Sequence, residues 1–345
     1  MGNATAGMAL SHPEGANVSP LRQSVVFTKL SLAILVTLAL SGCAPPRADP
    51  GPPASHQELA HHYAPVIRQG AASDQDFVTA VNFDGDWIGS NNWENQPTGD
   101  LSAHVYYSVV ETETHWFLFY ALFHPRDYTR DPCEKSRGCH ENDLESIQVV
   151  VAKDGAPFGR LQVVETLAHN HIHLYTADQT VKGNFLRVKG SVRLEGSHPI
   201  VYVETYGHGV HGHRKTLLPH VVVYRVGERA EAPESLEDDK VSYQLVSIYE
   251  TLWMHRDETG PGRAFDQLFD YRGCTLPSAI DGDNYGQDKA NTPWGYDQAT
   301  GDTLLRGDFF LDPARALAYH ADFGGDFSLT YLHNPYLADL GLSTN

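Results

Sequence analysis

The chain has 345 residues, and 43 acidic residues against 25 Lys and Arg give it a formal net charge of −18. Hydrophobic residues make up 41% of the chain and aromatic residues 10%, a profile that is typical of a folded globular protein and excludes disorder of the whole chain. The negative charge and the lack of a Lys/Arg cluster argue against nucleic acid as a partner. Four Cys are too few for a disulfide scaffold.

The N-terminal segment reads as a targeting signal. Arg22 and Lys29 precede an apolar run over residues 30–40, which is shorter than the roughly 20 residues of a membrane-spanning helix. Leu40-Ser41-Gly42-Cys43 follows and resembles the bacterial lipobox, whose Cys is lipidated. We therefore predict a lipoprotein signal peptide over residues 1–42 and lipidation at Cys43. The alternative is an ordinary signal peptide with a chance Cys.

A Pro-rich stretch comes next, over residues 43–56, and is predicted to form an extended tether. These two segments together predict an extracytoplasmic protein, lipid-anchored to the bacterial cell envelope. If the source has two membranes, the outer membrane is expected, because Ala44 follows Cys43 instead of the Asp that commonly retains lipoproteins at the inner one.

Residues 57–345 are predicted to form one all-β domain. β-branched and aromatic runs bounded by Gly, Asp and Pro favour a mainly antiparallel, elaborated β-sandwich with a few short helices and long polar loops. The runs at 105–110 and 115–123 predict a hairpin whose second strand is buried on both faces. Further strands are predicted over 147–151, 161–166, 171–176, 188–194, 200–205, 220–226 and 241–249.

Helices are predicted over residues 57–68, 262–269 and 313–320, the last of them after an Asp312 cap. Residues 270–310 are rich in Asp, Gly and Asn, and are predicted to be a long C-terminal loop region.

The most informative stretch lies between two predicted strands. Alternation along a strand puts Asp143 and Glu145 on one face, followed by the apolar Ile147, Val149 and Val151. Two carboxylates at the polar end of a core-facing row repel each other unless a metal cation or a positively charged side chain offsets their charge. His140 lies near them, and strand pairing would bring Asp127 alongside. This set of O and N donors suits Ca²⁺, Mg²⁺ or Mn²⁺. Pairing with Arg126, Arg130 or Arg137 is the alternative that the residues leave open.

The order of these motifs resembles the necrosis- and ethylene-inducing-like proteins. Their signature joins Pro-Lys-Asp to Gly-His-Arg-His-Asp-Trp-Glu on a compact β-sandwich that holds a divalent cation. The matching segments here are Pro125-Arg126-Asp127 and His140-Glu141-Asn142-Asp143-Leu144-Glu145. By that resemblance the metal ligands are Asp127, His140, Asp143 and Glu145. Leu144 replaces the family's Trp, and Asn142 replaces a His.

A second resemblance is to fungal and plant vacuolar-protein-sorting-associated proteins with an Asp-Trp-Glu motif. Tyr63-Ala64-Pro65-Val66 and Pro199-Ile200-Val201-Tyr202-Val203, with the His-rich turn after it, are similar to that family. The turn holds His208, His211 and His213, and we expect that one of them, first of all His208, helps to form the metal pocket.

Two other clusters have an alternative interpretation each. His169, His171 and His173 would share one strand face, either as a transition-metal patch or as a solvated polar face. The segment from Asp281 to Asp288 is similar to a calcium loop, but Tyr285 and Thr292 occupy ligand positions of the EF-hand pattern.

The four Cys also fit an oxidising compartment. Cys133 and Cys139 are six residues apart and are predicted to form a disulfide, which leaves Cys274 without a pairing partner besides the lipidated Cys43. A bridged pair would not supply a nucleophilic thiolate.

These observations predict a divalent-metal-binding β-sandwich that recognises a polar ligand, such as a small molecule, a glycan or a lipid head group. The sequence contains no nucleophile elbow, phosphate loop or dinucleotide fingerprint. One alternative is a metal-dependent hydrolase of phosphoesters or glycans, with Glu141 or His208 as the general base. The other is a surface interaction protein with a purely structural ion.

Overall fold

The computed structural model describes residues 52–135, 138–213, 220–297 and 303–344. The predicted signal peptide, Cys43 and the tether as far as residue 51 lie outside the described residues. The described part belongs to one unit, Asp49–Asn345. None of its helices is long and apolar enough to cross a membrane.

The described residues are mostly strand with a few short helices. The strands are β1 (Val66–Gly70), β2 (His104–Thr112), β3 (His115–Asp127), β4 (His140–Ala152), β5 (Arg160–Ala168), β6 (His171–Thr176), β7 (Lys182–Gly183), β8 (Val188–Ser191), β9 (Leu194–Glu195), β10 (His198–Val203), β11 (Val210–His211), β12 (Val221–Val226), β13 (Val241–Ser247), β14 (Phe265–Tyr271), β15 (Cys274–Ile280), β16 (Ala321–Asp322) and β17 (Tyr331–His333). The α-helices are α1 (His56–His62), α2 (Asn92–Asn95), α3 (Asp308–Leu311), α4 (Pro313–His320) and α5 (Pro335–Asp339), and short 3₁₀ helices span Gly89–Asn91, Gln96–Thr98 and Leu252–His255.

Most strands join one curled, mixed sheet in the order β11-β10-β1-β12-β13-β2-β3-β4-β5-β6-β8, with β9 beside β10 and β17 beside β2. Four pairs in it are parallel: β1–β10, β12–β13, β13–β2 and β6–β8. The prediction of mostly strands with a few short helices is thus confirmed, whereas the expected mainly antiparallel sandwich is not.

The hairpin of β2 and β3 is confirmed, with Val110 opposite Phe117. Every residue of β3 is buried, as predicted. The reason is that its side chains enter two separate cores. Phe117, Phe119 and Phe123 pack in one cluster, and Leu118, Tyr120 and Leu122 pack in the other. Because a core cluster packs against each face of β3, the polar side chains at its end lie at the margin of a dry core.

Two helix predictions need correction. The first helix ends at His62, and the rest of the predicted 57–68 segment is β1, because Pro65 lacks an N–H and disfavours a helical residue before it. Its start at His56 is set by a capping box of Ser55 and Glu58.

The second correction concerns residues 262–269, which contain the start of β14 and no helix. β14 pairs with β15 across a two-residue turn at Arg272 and Gly273, both with positive φ. β15 lies within the region predicted to be a loop. Helix α4 is confirmed at Pro313–His320, although the Asp312 side chain binds Arg272 and Tyr331 instead of capping the helix.

Candidate functional site

The register between β3 and β4 brings the predicted ligands to one end of the strand pair. Asp127 lies opposite His140, and the β4 residue Asp143 lies opposite His124. The His140 Nε2 is 3.1 Å from Asp127 Oδ2. Its Nδ1 is 2.7 Å from the backbone oxygen of Asn142, which orients the ring.

Asp143 and Glu145 form the polar end of a buried row on β4. The row continues through Ile147, Val149 and Val151, all of which belong to the core cluster that contains Leu122. Asp143 and Glu145 are themselves only 8% and 5% exposed. The two carboxylates therefore lie at the margin of a core, where an unpaired charge is costly.

His208 reaches this end of the sheet from the loop between β10 and β11. Its Nδ1 is 2.9 Å from Asp143 Oδ2 and 3.9 Å from Asp127 Oδ1. The ring is fully buried, and the backbone φ of 42° is a left-handed value that is uncommon outside Gly. Asp127, Asp143 and His208 offer ligand atoms that all lie within 4.8 Å of one another, so these three could hold a metal ion.

Gly207 fixes the position of this loop. Its N–H donates to Asp127 Oδ1 at 2.7 Å, and its φ is 71°. A Cβ at this position would lie 2.4 Å from the His169 ring. Both the positive φ and the close approach require Gly here, so the residue before His208 is determined by the packing around the site.

Two residues of the site have no counterpart in the sequence-based prediction. His124 stacks on His208 with ring centroids 3.8 Å apart and an angle of 3° between the rings. Asp76 lies in the loop after β1, is fully buried, and its Oδ2 is 3.7 Å from His208 Nε2. Asp76 binds the backbone N–H groups of Ala72 and Ser73. His124 could have been found from strand alternation and register, whereas Asp76 sits in a loop that carries no such signal.

The buried charges shift one another's protonation. Burial, and then the charge of Asp143, raise the pKa of Glu145 well above its usual range. Burial favours the neutral ring of His208, but the nearby carboxylates of Asp143 and Asp76 outweigh burial and raise its pKa well above normal. Burial, and then the charge of His208, lower the pKa of His124. Without a metal ion, protons on Glu145 and His208 therefore offset the charge of the cluster.

The pKa values of Asp127 and His140, at the edge of the site, are shifted in the directions that favour an ion pair. Burial opposes ionisation of Asp127, but the hydrogen bond from His140 and the charge of His208 lower its pKa. Burial disfavours the charged ring of His140, yet the bond to Asp127 and the charge of Asp143 raise its pKa. The proton shared by Asp127 and His140 therefore lies at the edge of the site, where a bound cation could replace it.

Polar atoms without a hydrogen-bond partner test whether a cation fits. Among the described residues, Glu145 Oε2, His208 Nε2 and His124 Nε2 are buried and have none. Buried polar atoms normally have a partner, and an ion or ordered water is the usual explanation when the protein supplies none. The carboxylates that meet here are ligands that suit Ca²⁺, Mg²⁺ and Mn²⁺, and His208 adds a nitrogen ligand, so these residues can hold a divalent cation.

Other His residues of the prediction lie apart from the Asp127–Asp143–His208 group. His211 Nε2 is 3.0 Å from Glu204 Oε1, and its ring stacks on His173. His213 packs edge-on against Tyr175. Neither of the two is brought to the group of three, which leaves His208 as the member of the His-rich turn that reaches it.

The three His at 169, 171 and 173 do not share a strand face. His169 and Asn170 have positive φ values of 51° and 62° and form the two-residue turn between β5 and β6. His169 instead supports the site, because its N–H donates to Glu145 Oε1 at 3.0 Å and its Nε2 is 2.8 Å from Glu204 Oε2.

A second acidic group combines two residues of the segment that is similar to a calcium loop with one residue of β14. Asp266, Asp281 and Asp288 offer oxygens within 4.8 Å of one another. Asp281 Oδ2 accepts the Gly262 N–H at 2.7 Å. The group is less buried than the first one, since Asp266 and Asp288 are half-buried.

Glu141 is buried and binds backbone groups of other segments, although alternation alone would place it on the same face as Asp143; Asn142, which lies between them, has a positive φ of 58° that interrupts the alternation. Its Oε1 accepts the Trp93 N–H at 2.6 Å, and its Oε2 accepts those of Asp283 at 2.9 Å and Asn284 at 3.3 Å. Glu141 therefore ties α2 and the loop after β15 to β4.

An open pocket of about 880 Å³ adjoins the site. Asp127 and His140 line it, together with Tyr128, Arg130, Tyr206 and Lys289 among others. The predicted disulfide between Cys133 and Cys139 is present, with Cα atoms 5.5 Å apart, and it closes the loop that carries the pocket residue Gly138. Cys274 is not part of a disulfide.

No family model matches this chain, and no curated protein matches its sequence. Solved structures to which it is similar include necrosis and ethylene inducing protein 2 from the causal agent of cocoa's witches' broom disease. The sequence identity is 15%, the match covers 48% of this chain and 73% of that chain, and the TM-score is 0.32. The non-toxic protein HaNLP3 has 12% identity, coverages of 59% and 80%, and a TM-score of 0.32. NLPPya in complex with glucosamine has 18% identity, coverages of 48% and 68%, and a TM-score of 0.30. At these TM-scores the similarity establishes neither family membership nor a ligand for this chain.

Proposed function

We propose that this protein binds one divalent cation, Ca²⁺, Mg²⁺ or Mn²⁺, and uses it to recognise a polar ligand in the adjoining pocket. Asp127, Asp143 and His208 are the central ligands of this proposal, and His140 and Glu145 complete the set. The observation that carries it is the convergence of the three central side chains within 4.8 Å, all buried. The partnerless Glu145 Oε2 beside them supports it further.

The physical argument is one of charge. Burying several carboxylates at one point costs free energy unless each is protonated, hydrogen-bonded or bound to a cation. The raised pKa values of Glu145 and His208 indicate that protons have this role when no metal ion is bound. A divalent ion would replace these protons and satisfy the oxygens at the same time.

Recognition of a polar ligand follows from the position of the pocket. Asp127 and His140 contribute to the pocket wall, whereas Asp143 and His208 lie behind them in the core. A cation held between these two pairs would be reachable from the pocket, where sugar hydroxyls or phosphate oxygens could contact it. A small polar molecule, a glycan or a lipid head group fits this description.

Binding is favoured over hydrolysis by the surroundings of both candidate bases. Glu141 uses its two carboxylate oxygens on three backbone N–H groups, so it is held away from the pocket. His208 is fully buried, and its Nδ1 is engaged by Asp143. A general base must reach the water that it activates, and neither side chain is placed to do so from the pocket.

Metal analysis of the purified mature protein tests the cation. We expect one divalent ion per chain, lost on chelation and regained on dialysis against Ca²⁺, Mg²⁺ or Mn²⁺. Asp127→Asn should lower the occupancy, and Asp326→Asn, at an exposed carboxylate, is the matched control. If the chelated protein regains none of the three ions, the proposal is wrong.

We also propose the lipid anchor at Cys43 and an extracytoplasmic location in the cell envelope. The apolar run before Cys43 supports it, and the bridge between Cys133 and Cys139 suits an oxidising compartment. Cys43→Ser should move the protein from the membrane fraction to the soluble fraction, while Cys274→Ser should not. Unchanged fractionation of the first variant would contradict the anchor.

A further inference from the structure

The segment between Asp178 and Glu195 is basic, although the chain as a whole has a formal net charge of −18. It contains no acidic residue and four basic ones, which are Lys182, Arg187, Lys189 and Arg193. Because uncharged residues separate these cations, the sequence shows no compact Lys/Arg cluster. All four residues are exposed, and the segment includes β8, the strand at one end of the large sheet.

The acidic residues that bound this segment are already engaged. Asp178 is ion-paired with Arg160, and Glu195 Oε1 is 2.6 Å from Arg225 Nε. Strand β6, which pairs with β8, contains no acidic residue. Both bounding carboxylates therefore have a cation from outside the segment and do not offset the charge within it.

Three of the four cations have no counter-charge from the described residues. Lys182 lies opposite the exposed Asp322 of β16, so that carboxylate offsets one charge. The side chains of Arg187, Lys189 and Arg193 form neither an ion pair nor a hydrogen bond with any described residue. The segment thus carries a local excess of positive charge on the surface of an acidic protein.

The same segment exposes apolar side chains. Phe185, Val188 and Leu194 are 49%, 38% and 47% exposed. Apolar side chains among cations are typical of surfaces that lie on a membrane, because the apolar groups enter the head-group boundary while the cations stay beside the phosphates. A soluble anionic polymer would leave these apolar side chains in water. The composition of the segment therefore favours a lipid surface as its partner.

The position of Leu194 brings the segment close to the predicted tether. Leu194 lies opposite Pro199, and the neighbouring His198 Nδ1 is 2.8 Å from the carbonyl oxygen of Ala64. Ala64 follows α1, whose seven residues span about 10 Å. The chain between Cys43 and α1 can extend about 40 Å at most. A lipid at Cys43 would therefore keep this side of the protein within reach of a bilayer.

We propose that the segment from Lys182 to Leu194 docks on a bilayer that contains anionic phospholipids, with its apolar side chains in the head-group boundary. The nearness of a membrane rests on the proposed anchor at Cys43, whereas the class of the partner follows from the charge and the exposed apolar groups. At physiological ionic strength charges are screened over about 8 Å, so these cations can attract head groups despite the negative charge of the chain.

Sedimentation with vesicles tests the proposal. The full chain with Cys43→Ser, which has no lipid at that position, is mixed with phosphatidylcholine vesicles in chelator at about 0.15 M salt. We expect binding to strengthen when the vesicles also contain phosphatidylglycerol. Each cation beside an anionic surface contributes roughly five-fold, so the triple variant Arg187→Gln, Lys189→Gln and Arg193→Gln should weaken this binding about 100-fold.

Matched controls separate the segment from the rest of the surface. The triple control variant is Lys135→Gln, Arg229→Gln and Arg263→Gln, at exposed positions outside the segment, and it should bind as before. Leu194→Ser should weaken binding about three- to five-fold, whereas Leu332→Ser, at a residue that is 62% exposed, should not. The N-terminal apolar run is the same in every variant, so differences between variants report on the segment.

Several results would overturn the proposal. They are binding that phosphatidylglycerol does not strengthen, equal binding by the two triple variants, and equal binding by Leu194→Ser and Leu332→Ser. Binding to heparin without binding to the vesicles would assign the charge to a soluble polyanion, and would overturn it too.

The outcome depends on neither the cation site nor the anchor, because chelator keeps the first empty and Cys43→Ser removes the second. If fractionation shows no anchor and the anionic vesicles bind, only the anchor fails. If the anchor is found and the vesicles do not bind, only the docking of this segment fails. The two failures are therefore distinguishable.

Discussion

Replacing Asp143 by Asn removes the carboxylate at the centre of the site and keeps its shape. Asp143 Oδ2 is 2.9 Å from His208 Nδ1, and its Oδ1 accepts the Leu144 N–H at 2.9 Å. Breaking a buried ion pair costs about 3–5 kcal/mol. Because Asp76 and Asp127 remain 3.7 Å and 3.9 Å from the same ring, we expect a smaller loss, about 2–3 kcal/mol, in the metal-free protein.

The larger difference is expected when metal is added. Metal at about 100 times its dissociation constant should stabilise the original chain by about 2.7 kcal/mol. For a folded part of about 290 residues, with an unfolding entropy of about 0.6 kcal/mol per degree, this corresponds to a rise in Tm of about 4–5 °C. Asp143→Asn should show almost none of this rise.

Calorimetric melting of chelated and metal-loaded samples measures both effects. Asp326→Asn, at an exposed position, should keep the full rise. Asp288→Asn is the critical comparison, because Asp288 belongs to the second acidic group. A rise that survives Asp143→Asn and disappears in Asp288→Asn would refute the reasoning, since the ion would then bind in the loop after β15.

Three further outcomes are expected. Glu141→Gln should destabilise the fold by about 1–3 kcal/mol, because an amide cannot accept all the backbone N–H groups that the carboxylate binds, yet metal binding in a dialysis assay should persist. Reducing the bridge of Cys133 and Cys139 should cost about 2 kcal/mol in chemical denaturation, and an unchanged midpoint would contradict this. Metal affinity should rise as the pH increases, and the rise should continue above the usual titration range of a carboxyl group or an imidazole, because the raised pKa values of Glu145 and His208 mean that protons compete with the metal; an affinity independent of pH in fluorimetric titration would count against these ligands.

The parts of the site that could be predicted are those that lie on regular strands. Period-two alternation correctly grouped Asp143 with the apolar row of β4, and the short connection between β3 and β4 placed Asp127 opposite His140. The disulfide followed from spacing in the same connection. Local periodicity therefore carries information over one hairpin.

What could not be predicted depends on contacts between segments that are far apart in the chain. Asp76 joins the site through a loop, and His169 occupies a tight turn where alternation does not apply. The parallel pairs β1–β10 and β13–β2 also left no local signal, because their partners are far apart in the chain: Val66 pairs with Ile200, and His104 pairs with Gln244. The helix predicted at 262–269 failed for a related reason: its apolar spacing suited either a helix or the partner of β15.

The long separations within the site bear on the kinetics of folding. The link from Gly207 to Asp127 spans 80 residues, and that from His208 to Asp143 spans 65, whereas Asp127, His140, Asp143 and Glu145 all lie on one hairpin. The hairpin can form early, but the loop with His208 can close only after a costly long-range contact. If this closure follows the transition state, metal should slow unfolding and leave the rate of folding nearly unchanged. An ion bound at this site would thus act mainly by slowing unfolding, which extends the lifetime of the native state.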